Sequence, residues 1–499
     1  MQINSVSHKL LHFVDARFPI LYLNTFEETK IDEVVKKIAY GREILEWNAS
    51  KGLVHFQTKN QLLNDFNRLS QSLSLLSRDN ELDGKILVIK DVHHFMDDPH
   101  VMSILKEIAI NIYNGLETII LLVSPILKIP TELEQYITIV EIDYMAEDAI
   151  SNLIKAFIKE NNFDEISDEL LNELTIAFKG LTEYEIVTTL SLAYAKEGNL
   201  KRRDLTLIYE QKYQMVKKSG ILEMIPFNES FNEIGGLENL KEWVSNKAKV
   251  FKDLNKAKDF GVDIPKGVLV VGMPGCGKSL NAKATANLFG IPLLRLDMGK
   301  LLGKYVGESE ANMRKAIKLA EAISPCVLWV DEIEKAFAGI GNSGNAEVAT
   351  RLFGNFLTWM QEKTSPTFVV ATANDVSNLP PELMRKGRFD EIFYVDLPDP
   401  LERQKIFEIH LMKRRQTDLP AIDCNELSKR TEGFSGADIE GVVKESIEIA
   451  FISGESQVKT QDIIKSIENT ASLSVLFKDK LKVLADVYKN NHFKSASKK

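Results

Sequence analysis

The chain has 499 residues, of which 44% are hydrophobic and 27% are charged, and its formal net charge is −9. This length exceeds what a single hydrophobic core holds, so we expect roughly two to four domains with the composition of an ordinary globular protein. The acidic balance argues against a protein that coats nucleic acid. The three cysteines argue against a disulfide scaffold and favour a reducing compartment.

The hydrophobic pattern predicts neither a membrane span nor a targeting segment. Residues 118–123 form an apolar run, but it is long enough only for a buried strand. Residues 1–14 lack both the layout of a signal peptide and the Arg/Ser bias of a transit peptide. We therefore expect the protein to act in the compartment in which it is made.

The N-terminal half alternates between apolar runs and amphipathic helical segments. We predict strands at residues 18–23, 85–91, 118–124 and 137–142, with helices between them, and a wholly helical stretch at 146–218. Alternation of this kind is typical of βαβ units and a parallel sheet. The sequence therefore predicts an α/β domain over residues 1–145 and a helical, lid-like segment with a linker over residues 146–220.

The loop after the first predicted strand, residues 24–28, reads Asn-Thr-Phe-Glu-Glu. It has no glycine that would let the backbone approach a phosphate, and its two carboxylates would repel one. We predict that this half does not bind nucleotide in that way. Asp91, His93 and His94 suggest a metal site, but neighbouring strand residues point to opposite faces, so at most one histidine can face Asp91. A polar cap on a strand end is the favoured alternative.

Two similar segments link the halves of the chain. Residues 179–186 (KGLTEYEI) and residues 432–439 (EGFSGADI) each follow a strand series and each lead into a helix. We interpret the N-terminal half as a nucleotide-free relative of the C-terminal half. Chance similarity between two amphipathic helices is the alternative.

A phosphate-binding motif opens the second half, beyond a junction marked by glycine and proline at residues 219–226. It matches G-x-x-x-x-G-K-[ST] and consists of Gly272, Met273, Pro274, Gly275, Cys276, Gly277, Lys278 and Ser279. An apolar run precedes it and a helical pattern follows, so its backbone N–H groups and the helix N-terminus can converge on phosphate oxygens. Lys278 would reach the β- and γ-phosphates and Ser279 would ligate Mg²⁺. A chance glycine-rich turn is the alternative, but it does not explain the flanking strand and helix.

Two acids follow the next strongly apolar strand, residues 326–330. Asp331 would hold Mg²⁺, and Glu332 would orient and polarise the attacking water. Further strands are predicted at residues 292–297, 367–374 and 392–395. Together these patterns predict a P-loop α/β core with a five-stranded parallel sheet over residues 221–399. A helical lid over residues 400–499 ends in a solvated tail, 494–499.

Residues 227–490 resemble the classical AAA subfamily of AAA+ ATPases. The resemblance implies roles for a lead-in segment containing Gly236, for a sensor amide at Asn374, and for base-contacting positions in the lid at His410, Gly436 and Ala437. It also implies that Arg385 and Arg388 are arginine fingers that reach the site of a neighbouring subunit. A planar, permanently charged guanidinium suits that role. The chain departs from the family pattern at Lys386 and Glu334, where the family usually has Pro and Asp.

Residues 304–309 resemble the family's pore loop. Tyr305 and Val306 would then grip a polypeptide without sequence preference, by apolar contact and a phenol donor. Packing of Tyr305 beneath its own loop is the alternative.

Cys276 lies inside the phosphate loop at a helix N-terminus, where a thiol pKa tends to fall. Oxidation of this thiol would block ATP binding, so a redox switch is one interpretation. A small-residue filler is the other.

Taken whole, the chain resembles a family of two-part AAA proteins that algal plastid genomes and cyanobacteria encode. This implies location in the plastid stroma if the gene is plastid-encoded, and in a bacterial cytoplasm otherwise. The first functional hypothesis is an ATP- and Mg²⁺-dependent ATPase that forms a homo-oligomeric ring, a hexamer in the family. That ring would remodel a protein partner recruited by the N-terminal half. The alternative is a regulatory adaptor whose ATP site sets partner binding. A DNA clamp-loader role is disfavoured by the net acidity.

Overall fold

The computed structural model describes residues 2–25, 27–62, 68–78, 81–142, 144–162, 164–226, 229–301, 308–337, 345–376, 379–385, 387–477, 481 and 493–498. The chain divides into two compact units, Met1–Asp204 and Leu205–Lys499. Among the described residues, no helix has both the length and the apolar character needed to cross a membrane.

The first unit alternates strands with helices before it becomes helical. Its helices and strands are, in chain order, α1 (Gln2–Asp15), β1 (Ile20–Asn24), α2 (Glu28–Ile38), β2 (Glu43–Asn48), β3 (Gly52–His55), α3 (Leu69–Leu76), β4 (Lys85–Lys90), α4 (Pro99–Tyr113), β5 (Ile119–Ser124), β6 (Ile137–Glu141), α5 (Glu147–Glu160), α6 (Asp168–Phe178) and α7 (Glu183–Glu197). Short 3₁₀ helices lie at Val92–His94, Thr131–Leu133 and Arg202–Asp204.

The sheet of this unit has the order β3-β2-β4-β5-β1-β6, in which β3 is antiparallel to β2 and the other pairs are parallel. Both faces are buried. Along β1, Ile20 and Tyr22 pack into the hydrophobic cluster on one face, and Leu21 and Leu23 pack into the cluster on the other. Burial on both faces explains why such strands read as continuous apolar runs.

The four strands predicted for this half are confirmed, but β2 and β3 were missed. The cause is Glu46 in the middle of β2, which interrupts the apolar pattern. Its side chain is nevertheless buried, because Lys59 and Lys90 neutralise it. A buried, paired charge is invisible to a pattern that assigns charged residues to the surface.

The second unit contains the phosphate-loop motif. Its helices and strands are α8 (Leu205–Ser219), β7 (Leu222–Ile225), α9 (Glu238–Lys252), α10 (Leu254–Asp259), β8 (Gly267–Gly272), α11 (Lys278–Phe289), β9 (Leu293–Asp297), α12 (Met298–Leu301), α13 (Glu308–Ile323), β10 (Cys326–Asp331), α14 (Asn345–Glu362), β11 (Thr367–Ala373), β12 (Glu391–Val395), α15 (Pro400–Arg415), α16 (Cys424–Arg430), α17 (Gly436–Ile452), α18 (Thr460–Asn469), α19 (Leu473–Leu476) and β13 (Lys494–Ser495). Its 3₁₀ helices are Phe231–Glu233, Ile333–Phe337, Pro381–Met384 and Leu419–Ala421.

The predicted five-stranded parallel sheet is confirmed as β12-β8-β11-β10-β9. Two short edge strands extend it: β7 pairs antiparallel with β9, and β13 pairs parallel with β12. Helices α15 to α18 pack around a separate hydrophobic cluster, as expected for a lid.

The prediction of a solvated C-terminal tail is wrong. Ala496 is fully buried, and its backbone N–H donates to the carbonyl oxygen of Tyr394 over 2.9 Å. The Asn239 amide donates to the carbonyl oxygens of Ser495 (3.1 Å) and Ser497 (3.0 Å). The polar, lysine-rich composition of the tail hid a strand whose stability comes from backbone pairing and one alanine.

Both units share one strand order. If the five parallel strands of each sheet are numbered along the chain, β1, β2, β4, β5, β6 in the first unit and β8 to β12 in the second, each sheet reads 2-3-4-1-5. An added antiparallel strand borders strand 2 in both sheets. This common topology supports the interpretation of the N-terminal half as a relative of the C-terminal half.

Candidate functional site

The phosphate loop turns from β8 into α11 by conformations that require glycine. Gly272 has φ +145°, and a Cβ there would lie 2.0 Å from the carbonyl oxygen of Val395. A Cβ on Gly275 (φ +76°) would lie 2.8 Å from Ser435 Oγ and 2.9 Å from the Ala437 Cβ. Side chains at these positions would displace either the neighbouring strand or the lid, so the loop is seated between both.

Lys278 begins α11 and is buried beneath the loop. Its Nζ donates to the carbonyl oxygens of Gly272 (2.8 Å) and Met273 (2.6 Å). Burial lowers the pKa of Lys278 to about 8, against the opposing effect of nearby acids. A desolvated ammonium group is stabilised by an anion placed beside it, which is what a phosphate at the loop would supply.

Thr372, on β11, organises the two acids that follow β10. Its Oγ1 donates to Asp331 Oδ1 over 2.8 Å and accepts from the backbone N–H of Glu332 over 3.1 Å. Glu332 has φ +47°, a left-handed conformation that turns the chain directly after the strand. Thr372 could not be predicted from the sequence, because it lies within an apolar strand pattern.

Asn374 directly follows β11 and donates hydrogen bonds to two acids. Its side-chain amide donates to Glu332 Oε1 over 2.9 Å, and its backbone N–H donates to Glu334 Oε1 over 2.9 Å. Lys335 pairs with the other oxygen of Glu332. Burial raises the pKa of Glu334, whose Oε2 is buried without a hydrogen-bond partner in the described part of the chain.

These groups meet in a cavity of about 430 Å³ between the sheet edge and the lid. The predicted site residues that line it are Pro274, Gly275, Cys276, Gly277, Lys278, Ser279, Asp331, Glu332, Asn374, His410, Gly436 and Ala437. Glu233, Ile234 and Leu237, which belong to the predicted lead-in segment 231–237, also line it. Lining residues that were not predicted include Thr372, Asp396, Glu402, Ile406, Ile409 and Glu440. Gly272, Met273, Gly236, Arg385 and Arg388 are not among the residues that line it.

The lead-in segment is fixed to the lid. The backbone N–H of Leu237 donates to Glu402 Oε1 over 3.1 Å, and a Cβ on Gly236 would lie 2.1 Å from that oxygen. The backbone N–H of Ala437 donates to the carbonyl oxygen of Gly275 over 2.9 Å. Burial lowers the pKa of His410, which favours a neutral imidazole in the cavity wall.

Arg385 and Arg388 follow the 3₁₀ helix Pro381–Met384. The backbone N–H of Arg385 donates to the carbonyl oxygen of Glu382 over 3.2 Å, and the guanidinium of Arg388 donates to the same oxygen. Their absence from the cavity wall is compatible with the predicted action on a neighbouring subunit, which stays a prediction. Tyr305 and Val306 lie in segment 302–307, outside the described residues.

The expectation of a lowered thiol pKa at Cys276 is wrong. The residue is partly exposed, but the surrounding protein desolvates the thiol and raises its pKa to about 12, against the opposing charge of Lys278. Because the thiolate is the reactive species, this desolvation disfavours reaction of the thiol near neutral pH. The small-residue filler is therefore the better interpretation.

The N-terminal unit has different side chains at the corresponding positions. In each sheet, the third parallel strand along the chain is followed by a residue with positive φ, Asp91 at +52° and Glu332 at +47°. A 3₁₀ helix comes next in both. Lys90 therefore stands where the second unit has Asp331.

Lys90 is neutralised from within its own unit. Its Nζ lies 3.0 Å from Asp32 and 3.4 Å from Glu28, both on the helix that follows the first strand, and 3.5 Å from Glu46. Glu27, just before that helix, accepts from the backbone N–H of Glu183 over 2.9 Å. Acids thus occupy the loop side and a lysine occupies the strand side, the reverse of a site for phosphate and Mg²⁺.

The second unit's cavity fits a nucleotide with Mg²⁺. Its volume is within the range of cofactor sites, and it combines a buried ammonium, a glycine-rich loop and two acids. Ser279 and Asp331 are the oxygen ligands that would hold the metal ion.

Comparison with known proteins agrees with this geometry. A model of the ATPase family associated with various cellular activities (AAA) matches residues 268–397, and a model of the AAA+ lid domain matches residues 421–465. Models of the SpoVK-like AAA ATPase N-terminal domain and second domain match residues 6–142 and 148–219. The fold and the site define a P-loop AAA ATPase.

Relatives extend this likeness to most of the chain. The chain is 36% identical over 474 residues to the uncharacterized AAA domain-containing protein ycf46 of Guillardia theta, covering 94% of this chain and 92% of that protein. It is also 36% identical over 474 residues to the ycf46 protein of Pyropia yezoensis, covering 94% of each. The cell division cycle protein 48 homolog of Archaeoglobus fulgidus is 35% identical over 235 residues, which are 45% of this chain and 31% of that protein. The chain belongs to the AAA ATPases and, within them, to the family of ycf46 proteins, which confirms the predicted resemblance.

Proposed function

We propose that this protein binds ATP with Mg²⁺ and hydrolyses it as a homo-oligomeric ring of six copies that remodels a protein partner recruited by the N-terminal half. The observation that carries the proposal is the pair of acids Asp331 and Glu332, held by Thr372 and Asn374 in the same cavity as the buried Lys278. A phosphate-binding protein without turnover has no need of a second, hydrogen-bonded carboxylate at this place.

Each group in the site has a separate role in phosphoryl transfer. The loop N–H groups and Lys278 bind the phosphates, and Ser279 and Asp331 hold Mg²⁺, which supplies charge neutralisation on the phosphate oxygens. Glu332 orients water and accepts its proton, while the amide of Asn374 fixes the carboxylate. Arg385 and Arg388 of a neighbouring copy would complete the charge stabilisation.

Lys278→Ala tests nucleotide binding directly. We expect binding of a fluorescent ATP analogue to weaken by about ten- to hundredfold, because a charge-assisted contact to phosphate is lost. Lys283→Ala is the matched control, since Lys283 lies on the same helix but pairs with Glu229 over 2.7 Å. Equal binding by Lys278→Ala and the unaltered chain would contradict the proposed site.

A regulatory adaptor remains the second candidate, and one observation favours it. Asn374 donates to one oxygen of Glu332 and Lys335 pairs with the other. These contacts would make Glu332 a weaker proton acceptor and so a poorer general base. The adaptor predicts partner binding that depends on ATP but no phosphate release. The remodeller predicts phosphate release and a partner retained by ATP-loaded Glu332→Gln protein.

The N-terminal unit leads to a prediction of stoichiometry. Because Lys90 and its surrounding acids replace the phosphate loop and the metal acid, we expect one nucleotide per chain in isothermal titration calorimetry. Lys278→Ala should weaken that one site as described above, and Lys90→Met should leave the count unchanged. A second nucleotide retained by Lys278→Ala would show that the first unit binds nucleotide after all.

Domain organisation and location complete the proposal. We assign residues 1–145 to a P-loop-lacking AAA-like domain, 146–220 to its helical segment and linker, 221–399 to the ATPase core and 400–499 to the lid and tail. Matches to the two SpoVK-like models at 6–142 and 148–219 support the first boundary. We infer location in the plastid stroma if the gene is plastid-encoded and in a bacterial cytoplasm otherwise. Whole-length similarity to ycf46 proteins supports the former.

A further inference from the structure

Arg295 contacts the acid that we assign to Mg²⁺. It lies on β9 opposite Trp329, two positions before Asp331 on the neighbouring strand. Its Nη2 is 3.2 Å from Asp331 Oδ2, and its guanidinium stacks 5.1 Å from the Trp329 ring. Arg295 is not among the residues that line the nucleotide cavity. Its guanidinium approaches the Asp331 carboxylate from the neighbouring strand β9.

Arg295 is shared with a second acid. Its Nη1 lies 3.9 Å from Glu223 Oε2 on β7, and Glu223 also pairs with Lys300. Asp331 is 19% exposed and Arg295 35% exposed, so their attraction is screened less than that of a surface pair. The guanidinium therefore stands between one acid inside the site and one acid on the edge strand.

Asp331 has a second anchor besides Arg295. Thr372 already donates to Oδ1 over 2.8 Å, and this bond fixes the carboxylate from the opposite neighbouring strand. Arg295 adds a positive charge at Oδ2, and a positive charge repels a metal ion that seeks the same carboxylate. The Thr372 bond survives when Arg295 is removed. We therefore expect the repulsion of Mg²⁺ by the Arg295 charge to affect metal binding more than the part that Arg295 plays in orienting Asp331.

The first unit carries the same pair with its charges exchanged. Glu46 on β2 lies opposite Val88, two positions before Lys90, and its Oε2 is 3.5 Å from Lys90 Nζ. Opposite charges at these two cross-strand positions thus stabilise both sheets. Only in the second unit does one member of the pair also have to bind a metal ion.

We propose that Arg295 is a resident counter-cation with which Mg²⁺ must compete for Asp331, and that Glu223 sets the strength of this competition. The inference rests on the proposed function. Mg²⁺ at Asp331 shifts Arg295 towards Glu223. Because coupled binding free energies are reciprocal, a displacement of β7 in turn changes the Mg²⁺ affinity of the site. The edge strand that follows α8 is thereby linked to the metal acid.

The test is a Mg²⁺ titration of fluorescent ADP binding to the full chain. Arg295→Gln should lower the half-saturating Mg²⁺ concentration by about three- to tenfold, because the competing charge is gone. Glu223→Gln should raise it by about two- to threefold, because Arg295 is then left to Asp331 alone. Arg295→Lys keeps the charge and should stay close to the unaltered chain. Arg314→Gln is the control, since Arg314 is an exposed arginine that pairs with Glu310 on its own helix.

The outcomes separate this inference from the function on which it rests. If the unaltered chain bound fluorescent ADP equally well with and without Mg²⁺, the metal site itself would fail and the inference with it. If the unaltered chain required Mg²⁺ but Arg295→Gln needed as much or more of it, the inference alone would be overturned. Should Arg295→Gln unfold, Glu223→Gln decides, and a lowered Mg²⁺ requirement in that variant would refute the competition.

Discussion

Glu332→Gln should reduce steady-state ATP hydrolysis by about 10²–10⁴-fold while leaving ATP binding within about threefold of the unaltered chain. The amide keeps the size of the carboxylate but cannot accept a proton from water. Asn374, which donates to Glu332 Oε1 over 2.9 Å, can still donate to the amide oxygen, so the local geometry is preserved. Phosphate release and binding of a fluorescent ATP analogue are measured in parallel.

Glu362→Gln serves as the control for this variant. Glu362 is an exposed glutamate at the end of α14, and the same substitution there should leave both readouts unchanged. If Glu332→Gln hydrolysed ATP at the rate of the control, Glu332 would not be the general base. If it lost ATP binding as well, the residue would act in binding rather than in the chemical step.

Removing both arginines, Arg385→Ala with Arg388→Ala, should lower ATP hydrolysis by about 10³-fold or more without loss of nucleotide binding. Neither residue lines the cavity of its own chain, and we predict that their charge acts in the site of a neighbouring copy. A guanidinium placed on the transferred phosphate stabilises charge that develops in the transition state.

Mixing two inactive variants tests the shared site. Glu332→Gln chains keep their arginines, and the double-arginine chains keep their own acids, so rings that contain both should recover a measurable part of the activity. Arg314→Ala with Arg430→Ala is the matched control, because both side chains are exposed and each pairs with an acid on its own helix. Full activity of the double-arginine variant alone, or of a monomeric chain, would refute a site shared between copies.

Much of the site could be predicted because its key residues are consecutive. The phosphate loop and the acids Asp331 and Glu332 each follow an apolar strand directly, and short-range spacing determines their geometry. Thr372 and Arg295 could not be found in this way. They lie on different strands from the acids, and only the sheet order brings them within 2.8 Å and 3.2 Å of Asp331.

Burial explains the predictions that failed. Position at a helix N-terminus suggested a low thiol pKa for Cys276, but desolvation by the folded chain raises it to about 12. Glu46 marked β2 as polar, yet its charge is buried against Lys90 and Lys59. The sequence shows that Cys276 lies at a helix N-terminus, but not that folding removes water from its thiol. It shows the charge of Glu46, but not the lysines that neutralise it in the folded chain.

The sequence by itself determined the strand–loop–helix unit of the phosphate-loop motif, the acids at the end of β10, the five parallel strands of the second sheet and the absence of a phosphate-loop motif in the first unit. These features follow from residue types and spacings over a few neighbouring positions. Only the tertiary structure decided the 2-3-4-1-5 order shared by both sheets, the strand formed by the C-terminal tail and the charge-exchanged pairs Arg295–Asp331 and Glu46–Lys90. These features depend on which strands lie side by side. Local sequence patterns are compatible with several strand orders, and long-range packing selects one of them.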